Sequence, residues 1–139
     1  MYEPIRTKSV HTPADHAGDF PHRTREEELD IQLAGHLAAL LAVTDELGLG
    51  TAGDRIAEQV ARLRGAPPAR HAGLSDAPAT TLHRRAHALA GRALVVAASR
   101  ADTVVAILSA ERMDAHTAAV SAAATADPAA APSRLVGAL

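Results

Sequence analysis

Apolar residues recur at helical spacing along most of this chain, and the pattern divides it into helices and connecting segments. The first helix is predicted over residues 24–47. Thr24 and Glu27 form a capping box at its start, and Gly48 follows its end. Its apolar face alternates spacings of four and three and consists of Leu29, Leu33, His36, Leu40, Val43 and Leu47, and it is widened by Leu37 and Leu41. This pattern is typical of an amphipathic helix in a bundle.

A second, shorter helix is predicted over residues 51–64. Thr51 or Asp54 is positioned to cap it, and Gly65 ends it. Its apolar face consists of Ile56, Val60 and Leu63. Pro67 and Pro68 then predict a loop.

Residues 77–125 carry an unbroken heptad pattern, with Ser75 or Asp76 as its cap. The repeated positions are His83, His87, Ala90, Leu94, Ala97, Ala101, Val104, Leu108, Glu111, Ala115, Ala118 and Ala122. One arrangement is a single helix of roughly 70 Å, at about 1.5 Å per residue. The other is an antiparallel pair of helices, 77–99 and 101–125, in which the chain folds back near Ser99–Asp102. Ser99 or Asp102 can then cap the second helix of the pair. The pattern leaves both open, because no Gly or Pro marks a turn there.

These segments predict an all-α protein, a small helical bundle of three or four helices. We expect a single domain over residues 24–125. Residues 1–23 contain three prolines and no periodicity, so we predict an irregular arm that carries the only tyrosine and phenylalanine of the chain, Tyr2 and Phe20. Residues 126–139, rich in Ala and Pro, are predicted to form a flexible tail.

Composition adds the expectation of a partner chain. About a quarter of the residues are alanine, which favours helix formation but adds little buried apolar area. We therefore predict an α-helical interaction subunit whose core is completed by a second copy or by a different protein. Close packing of helices within one chain is the other way to fill such a core.

Charge and residue usage exclude several kinds of site and favour a cytoplasmic protein. The formal net charge is −2 and no aromatic residue accompanies the helical arginines, so we expect no nucleic-acid binding. No apolar run approaches ~20 residues, and the first residues lack a signal-peptide pattern, so we expect no membrane association. Cysteine is absent, which excludes disulfides and thiolate chemistry.

Four strongly polar residues interrupt the apolar faces: His36, His83, His87 and Glu111. His87 and Glu111 lie equally far along the chain from Ser99. A fold-back there brings them together, and so does an antiparallel pair of two long helices from different chains. His83 lies one turn from His87 on the same face, and His36 faces inward from the first helix.

These residues have three open interpretations. In a polar pocket, His87 is the base, Glu111 orients it and His83 is a second polar contact, as in a small enzyme or one component of a two-protein enzyme, for instance in biosynthesis. In a metal site, His83, His87 and Glu111 bind a divalent ion, although we predict no cofactor. In the third interpretation, the histidines are hydrogen-bonded core or flank residues, and Glu111 pairs with Arg112 or Arg100.

Three arginines, Arg84, Arg85 and Arg92, return to one outer side of the third predicted helix. Arg84 and Arg92 are the candidates for binding an anionic group of a small-molecule ligand. The alternatives are a solvated face or ion pairs with the acidic start of the first helix, Glu26–Glu28.

The segment that follows Glu111 holds another set of polar residues. Asp114 and His116 are two residues apart and so point to different sides of a helix. We therefore predict ordinary surface positions for both, with no shared site.

Overall fold

The computed structural model describes residues 23–71, 73 and 75–126, and these form four helices and no strand. The helices are α1 (Arg25–Glu46), α2 (Gly50–Arg64), α3 (Ala79–Arg100) and α4 (Thr103–Ala126). The prediction of an all-α bundle is confirmed, and every helix bound lies within about two residues of the predicted one. The predicted arm and tail fall almost entirely outside the described residues. No described helix combines the length and apolar character that crossing a membrane requires.

α1 begins and ends as its sequence predicts. The Thr24 hydroxyl accepts a hydrogen bond from the Glu27 N–H at 3.0 Å, and the Glu27 carboxylate accepts one from the Thr24 N–H at 2.8 Å. At the other end, Gly48 has a left-handed φ of 74°, which lets the Leu49 N–H reach the Thr44 carbonyl. This tight turn leads directly into α2.

Hydrogen-bonded ion pairs between the helices reveal their directions. Arg100 at the end of α3 bonds to Asp30 near the start of α1 at 3.1 Å, so α1 and α3 are antiparallel. Arg62 near the end of α2 bonds to Asp102, just before α4, at 2.7 Å, so α2 and α4 are antiparallel as well. The helices thus run up, down, down and up, and the connection over residues 65–78 crosses back along the bundle. α1 packs against α2 and α3, and α3 packs against α4.

Arg70 fastens this crossing segment to the α1–α2 turn. Its guanidinium donates two hydrogen bonds to Asp45, at 2.8 and 3.0 Å, and one to Asp54 at 3.0 Å. Asp45 is buried and also accepts from the His71 N–H, and the Arg70 hydrogen bonds keep the pKa of this carboxyl below its usual value despite the burial. Gly53 provides the space, since a Cβ there would lie 2.6 Å from a guanidinium nitrogen of Arg70.

The side-chain caps predicted for α2 and α3 are not formed. α2 begins at Gly50 without a side-chain cap, so the assignment of that role to Thr51 or Asp54 is wrong. α3 also begins without one, and the Ser75 hydroxyl accepts from the Ala77 N–H at 3.0 Å instead.

The core is built from leucines of α1 and alanines of α3, completed by branched residues of α2 and α4. Its buried members include Leu33, Leu37, Leu40, Leu41, Ile56, Val60, Leu82, Ala86, Ala90, Ala93, Ala97, Val105 and Leu108. Small side chains on the inward face of α3 allow helices to approach closely, so their backbones can be near one another without a cavity. Close packing within one chain is thus one use of the high alanine content.

α3 and α4 are separate helices, joined by a turn at Ala101 and Asp102. Ala101 has a left-handed φ of 60°, and the Asp102 N–H bonds to the Ala97 carbonyl at 2.8 Å, an arrangement that glycine usually makes at a helix end. The Asp102 side chain then caps α4 by accepting from the Val105 N–H at 3.2 Å. Burial raises the pKa of Asp102, but hydrogen bonds from Arg62 and from the Val105 N–H outweigh it and leave the pKa below its usual value.

The turn changes the register of α4, so the heptad predicted across it is wrong in this helix. Val104 and Glu111, both assigned to the apolar face, are exposed, Val104 by 60%. The buried positions are Val105, Leu108, Ser109 and His116. A left-handed residue rotates the chain between the two helices, and a heptad therefore cannot be counted through it.

We expect Ala101→Gly to raise the free energy of unfolding by about 0.5–1 kcal/mol. A left-handed conformation costs an L-residue roughly 1–2 kcal/mol and glycine almost nothing, and the greater freedom of glycine in the unfolded chain offsets part of the gain. Urea denaturation followed by circular dichroism measures the change. Ala88→Gly, at an exposed position inside α3, is the matched control and should lower stability by about 1 kcal/mol. Equal destabilisation by both variants would contradict the turn described here.

Candidate functional site

Two histidines meet at the interface between α3 and α4. The Nδ1 atoms of His83 and His116 are 2.9 Å apart, and the ring centroids are separated by 5.1 Å. His116 has no exposed surface, and His83 is partly buried. A hydrogen bond between two Nδ1 atoms requires that one ring carries its proton there and that the other does not.

Arg112 decides which of the two rings donates. Its Nη2 lies 3.5 Å from Nε2 of His116, in a long hydrogen bond on the side away from His83. A guanidinium only donates, so Nε2 of His116 accepts and the proton of this ring is on Nδ1. His116 therefore donates to His83, and the proton of His83 is on its Nε2. The three side chains form a chain of donors that runs from Arg112 through His116 to His83.

Both rings of this pair are neutral at pH 7. Burial lowers the pKa of His116 to about 4, and the charges of Arg112, His83 and His87 act in the same direction. Burial also lowers the pKa of His83, with a further contribution from Arg112. Burial and the nearby Arg55 lower the pKa of Arg112 as well, which Glu111 opposes, but an arginine remains charged.

A cleft opens beside His116, between the first half of α3 and the second half of α4. Its volume is about 270 Å³, and its walls are formed by Arg84, His87, His116, Thr117, Val120 and Ser121. A cavity of about 150 Å³ holds benzene, so this space suits a small organic molecule. The polar groups of its walls are a guanidinium, imidazoles and hydroxyls, and none of the described side chains that line it is a carboxylate. We call this space the α3–α4 cleft.

The structure brings together some of the residues predicted to form a site and separates others. His87 lines the α3–α4 cleft, and His83 lies against it through His116. Glu111 does not meet His87: it is exposed and accepts a hydrogen bond from Arg55 of α2 at 2.9 Å. The interpretation without a functional site expected Glu111 to pair with Arg112 or Arg100, and it pairs with Arg55 instead. The register change after Ala101 is the reason.

His36 and Arg92 do not join the α3–α4 cleft. His36 is partly buried on α1, and Arg92 is exposed on α3; neither lines the cleft. Arg84 does line it, and none of the ion pairs among the described residues includes Arg84. The acidic start of α1 pairs instead with Arg100, through Asp30 and, at 3.9 Å, through Glu26.

The candidate metal ligands His83, His87 and Glu111 are not assembled into one site. Glu111 is paired with Arg55, as described above. Within residues 23–71, 73 and 75–126, no three side chains of His, Cys, Asp or Glu come together in a way that would hold a metal ion. The histidine pair itself lies beside the cationic Arg112.

His116 is the residue that the sequence argument missed, because the surface position predicted for it is wrong. A signal for it exists in the spacing. When the pattern is counted anew from the cap at Asp102, Val105, Ser109 and His116 fall on one face of α4 at helical spacing, with Arg112 between them. Reading the heptad straight through from α3 hides this face.

Comparison with known protein families, with curated proteins and with solved structures yields no match for this chain.

We expect the protein to lose stability as the pH falls from about 6.5 towards 4. The unfolded chain protonates His116 near its ordinary pKa of 6.5, whereas the folded chain does so only near 4, so acid favours unfolding within that window. The loss is on the order of 2 kcal/mol at pH 5, at about 1.4 kcal/mol per pH unit. Urea denaturation between pH 7 and 4.5 measures it. His116→Leu should flatten this dependence, and His71→Gln, at an exposed histidine, should leave it unchanged. An identical slope in His116→Leu would contradict the assignment.

Proposed function

We propose that this protein binds a small anionic molecule in the α3–α4 cleft. The observation that carries the proposal is the burial of a neutral histidine, His116, beside a cleft that is lined by the guanidinium of Arg84 and by no described carboxylate. A leucine at this position would stabilise the fold more than histidine does, because a buried ring nitrogen needs hydrogen-bond partners and a charged imidazolium is disfavoured by burial. Titratable groups that are perturbed in this way and that line a cleft are typical of functional sites.

The walls of the cleft favour an anion with a small apolar body. Arg84 offers a planar fork of donors that matches the two oxygens of a carboxylate, sulfonate or phosphate group. His87 lies one turn after Arg84 and adds a second donor from α3. Two further donors, the hydroxyls of Thr117 and Ser121, come from α4. Val120 lies between the two hydroxyl-bearing residues in sequence and provides an apolar contact.

Arg84→Gln should weaken the binding of methanesulfonate, used as the probe, by about tenfold or more. The variant keeps a polar side chain but removes the charge and the fork, and hydrogen bonds to charged groups contribute about 1.5–3 kcal/mol. Nuclear magnetic resonance titration of the histidine ring signals measures the affinity.

The matched control is Arg85→Gln, at an exposed arginine of the same helix that does not line the cleft. This variant removes the same net charge and should bind the probe nearly as the unmodified protein does. Equal weakening in both variants would show that only the net charge matters and would contradict a site at Arg84. The proposal would be refuted if the probe left the His87 and His116 signals unchanged.

A second proposal is an α-helical interaction subunit, in which another chain covers part of the surface. The observation that favours it is a pair of apolar side chains on one face of α4, Val104 and Ile107, which are 60% and 54% exposed. They are three residues apart, so they form a common stripe. Both proposals are for a cytoplasmic protein, and they are compatible with a role as an accessory subunit in biosynthesis.

If the partner is a second copy, the protein should be a dimer in multi-angle light scattering at tens of micromolar concentration. The double variant Val104→Thr with Ile107→Gln should then be monomeric, because it removes the apolar stripe without adding charge. Val95→Thr, at a 66% exposed valine of α3, is the control and should remain dimeric. A monomeric unmodified protein would contradict self-association.

A further inference from the structure

We infer that anion binding in the α3–α4 cleft is coupled to the uptake of one proton by the His83–His116 pair, so that the protein takes up its ligand together with a proton. This inference rests on the proposed function, because it concerns the same cleft.

The geometry leaves one place for an additional proton. The neutral pair holds one proton between the two Nδ1 atoms and one on Nε2 of His83. A third proton can be added without breaking the Nδ1–Nδ1 hydrogen bond only at Nε2 of His116, where Arg112 now donates. Proton uptake therefore forms an N–H bond at Nε2 of His116 and breaks the hydrogen bond from Arg112, with the proton supplied by solvent.

The charged groups around the pair oppose that uptake while the cleft holds no anion. On α4, Arg112 acts on both rings, and on α3, His87 acts on His116. The charges of Arg55 on α2 and Glu111 on α4 act on the pKa of Arg112 and not on that of either histidine ring. Among the described residues, no charged group of α1 acts on either ring. Every charge acting directly on the rings is thus cationic or becomes cationic on protonation.

An anion in the cleft reverses this balance. His116 borders the cleft but has no accessible surface of its own, so an anionic group bound there acts on its ring electrostatically, without direct contact. It supplies a counter-charge that none of the described side chains acting on the two rings provides. The bound anion then favours the imidazolium form of His116, and by reciprocity the protonated pair favours the anion. Affinity should therefore rise as the pH falls, in the opposite sense to the stability of the free protein.

Isothermal titration calorimetry with methanesulfonate tests this coupling, since the charge of the probe does not change in the range used. Titrations at pH 6 in three buffers of different ionisation enthalpy give the number of protons exchanged from the slope of the observed enthalpy. We expect uptake of about 0.5–1 proton per bound probe, and an affinity about five to ten times higher at pH 5.5 than at pH 7.

Two variants assign the proton. His116→Gln should bind the probe more weakly and with a slope near zero. His87→Gln also loses a donor of the cleft and should bind more weakly, but it should retain the uptake of a proton per bound probe. The reverse pattern would assign the proton to His87 and overturn the inference.

A measurement on the unmodified protein makes the test independent of how the variants fold. Ring-nitrogen resonance titrations should show the pKa of His116 rising when the cleft is saturated with methanesulfonate. Binding with no proton uptake and no change in this pKa would refute the coupling and leave the proposed function standing. Absence of any probe binding would refute both.

Discussion

The reversal of the backbone at Ala101 and Asp102 is the constraint on which most of this structure depends. A left-handed alanine ends α3, and the Asp102 side chain starts α4 in a register of its own. That register turns Glu111 to the surface and His116 into the interface with α3. Arg62 bonds to the same aspartate, so α2 is held against the α3–α4 hairpin at this point. The Asp102 carboxylate thus caps α4 at the chain reversal, sets the register of that helix and holds α2 beside it.

Small residues give the bundle its close packing, and one partly buried ion pair holds its long connection. The alanines on the inward face of α3 lie against the leucines of α1, which supply most of the large apolar groups. At the opposite end of the bundle from the α3–α4 turn, Arg70 ties residues 65–78 to Asp45, and Gly53 is needed because any side chain there would collide with the guanidinium. The α3–α4 end is fixed by the left-handed turn, the Asp102 cap and the ion pairs of Arg62 and Arg100. The other end is fixed by the bidentate ion pair of Arg70 with Asp45.

The interface between α3 and α4 holds more polar groups than folding requires. His83 and His116 occupy positions where leucine would stabilise the bundle, and Arg112 leaves its Nε buried without a hydrogen-bond partner. The Ser109 hydroxyl, one turn before Arg112 on α4, is also buried and has no hydrogen-bond partner among the described residues. Groups of this kind lower stability, and proteins tend to keep them where binding or chemistry needs them. The proposed use of these groups is in the cleft beside His116, which is lined by hydrogen-bond donors and the guanidinium of Arg84 and by no described carboxylate.

The sequence by itself determined the helices, because the capping box at Thr24, the glycines at the helix ends and the apolar periodicity act within a few residues of one another. It also singled out His87 and Arg84, which line the cleft, and His83, which forms a hydrogen bond with His116 beside it. It could not determine whether α3 and α4 are one helix or two, since Ala101 carries no local signal for a left-handed turn. That choice sets the register of α4, and with it the pairing of His83 with His116 instead of His87 with Glu111. Only tertiary structure decided this, because the energy that holds an alanine in a strained conformation comes from contacts between helices that are distant along the chain.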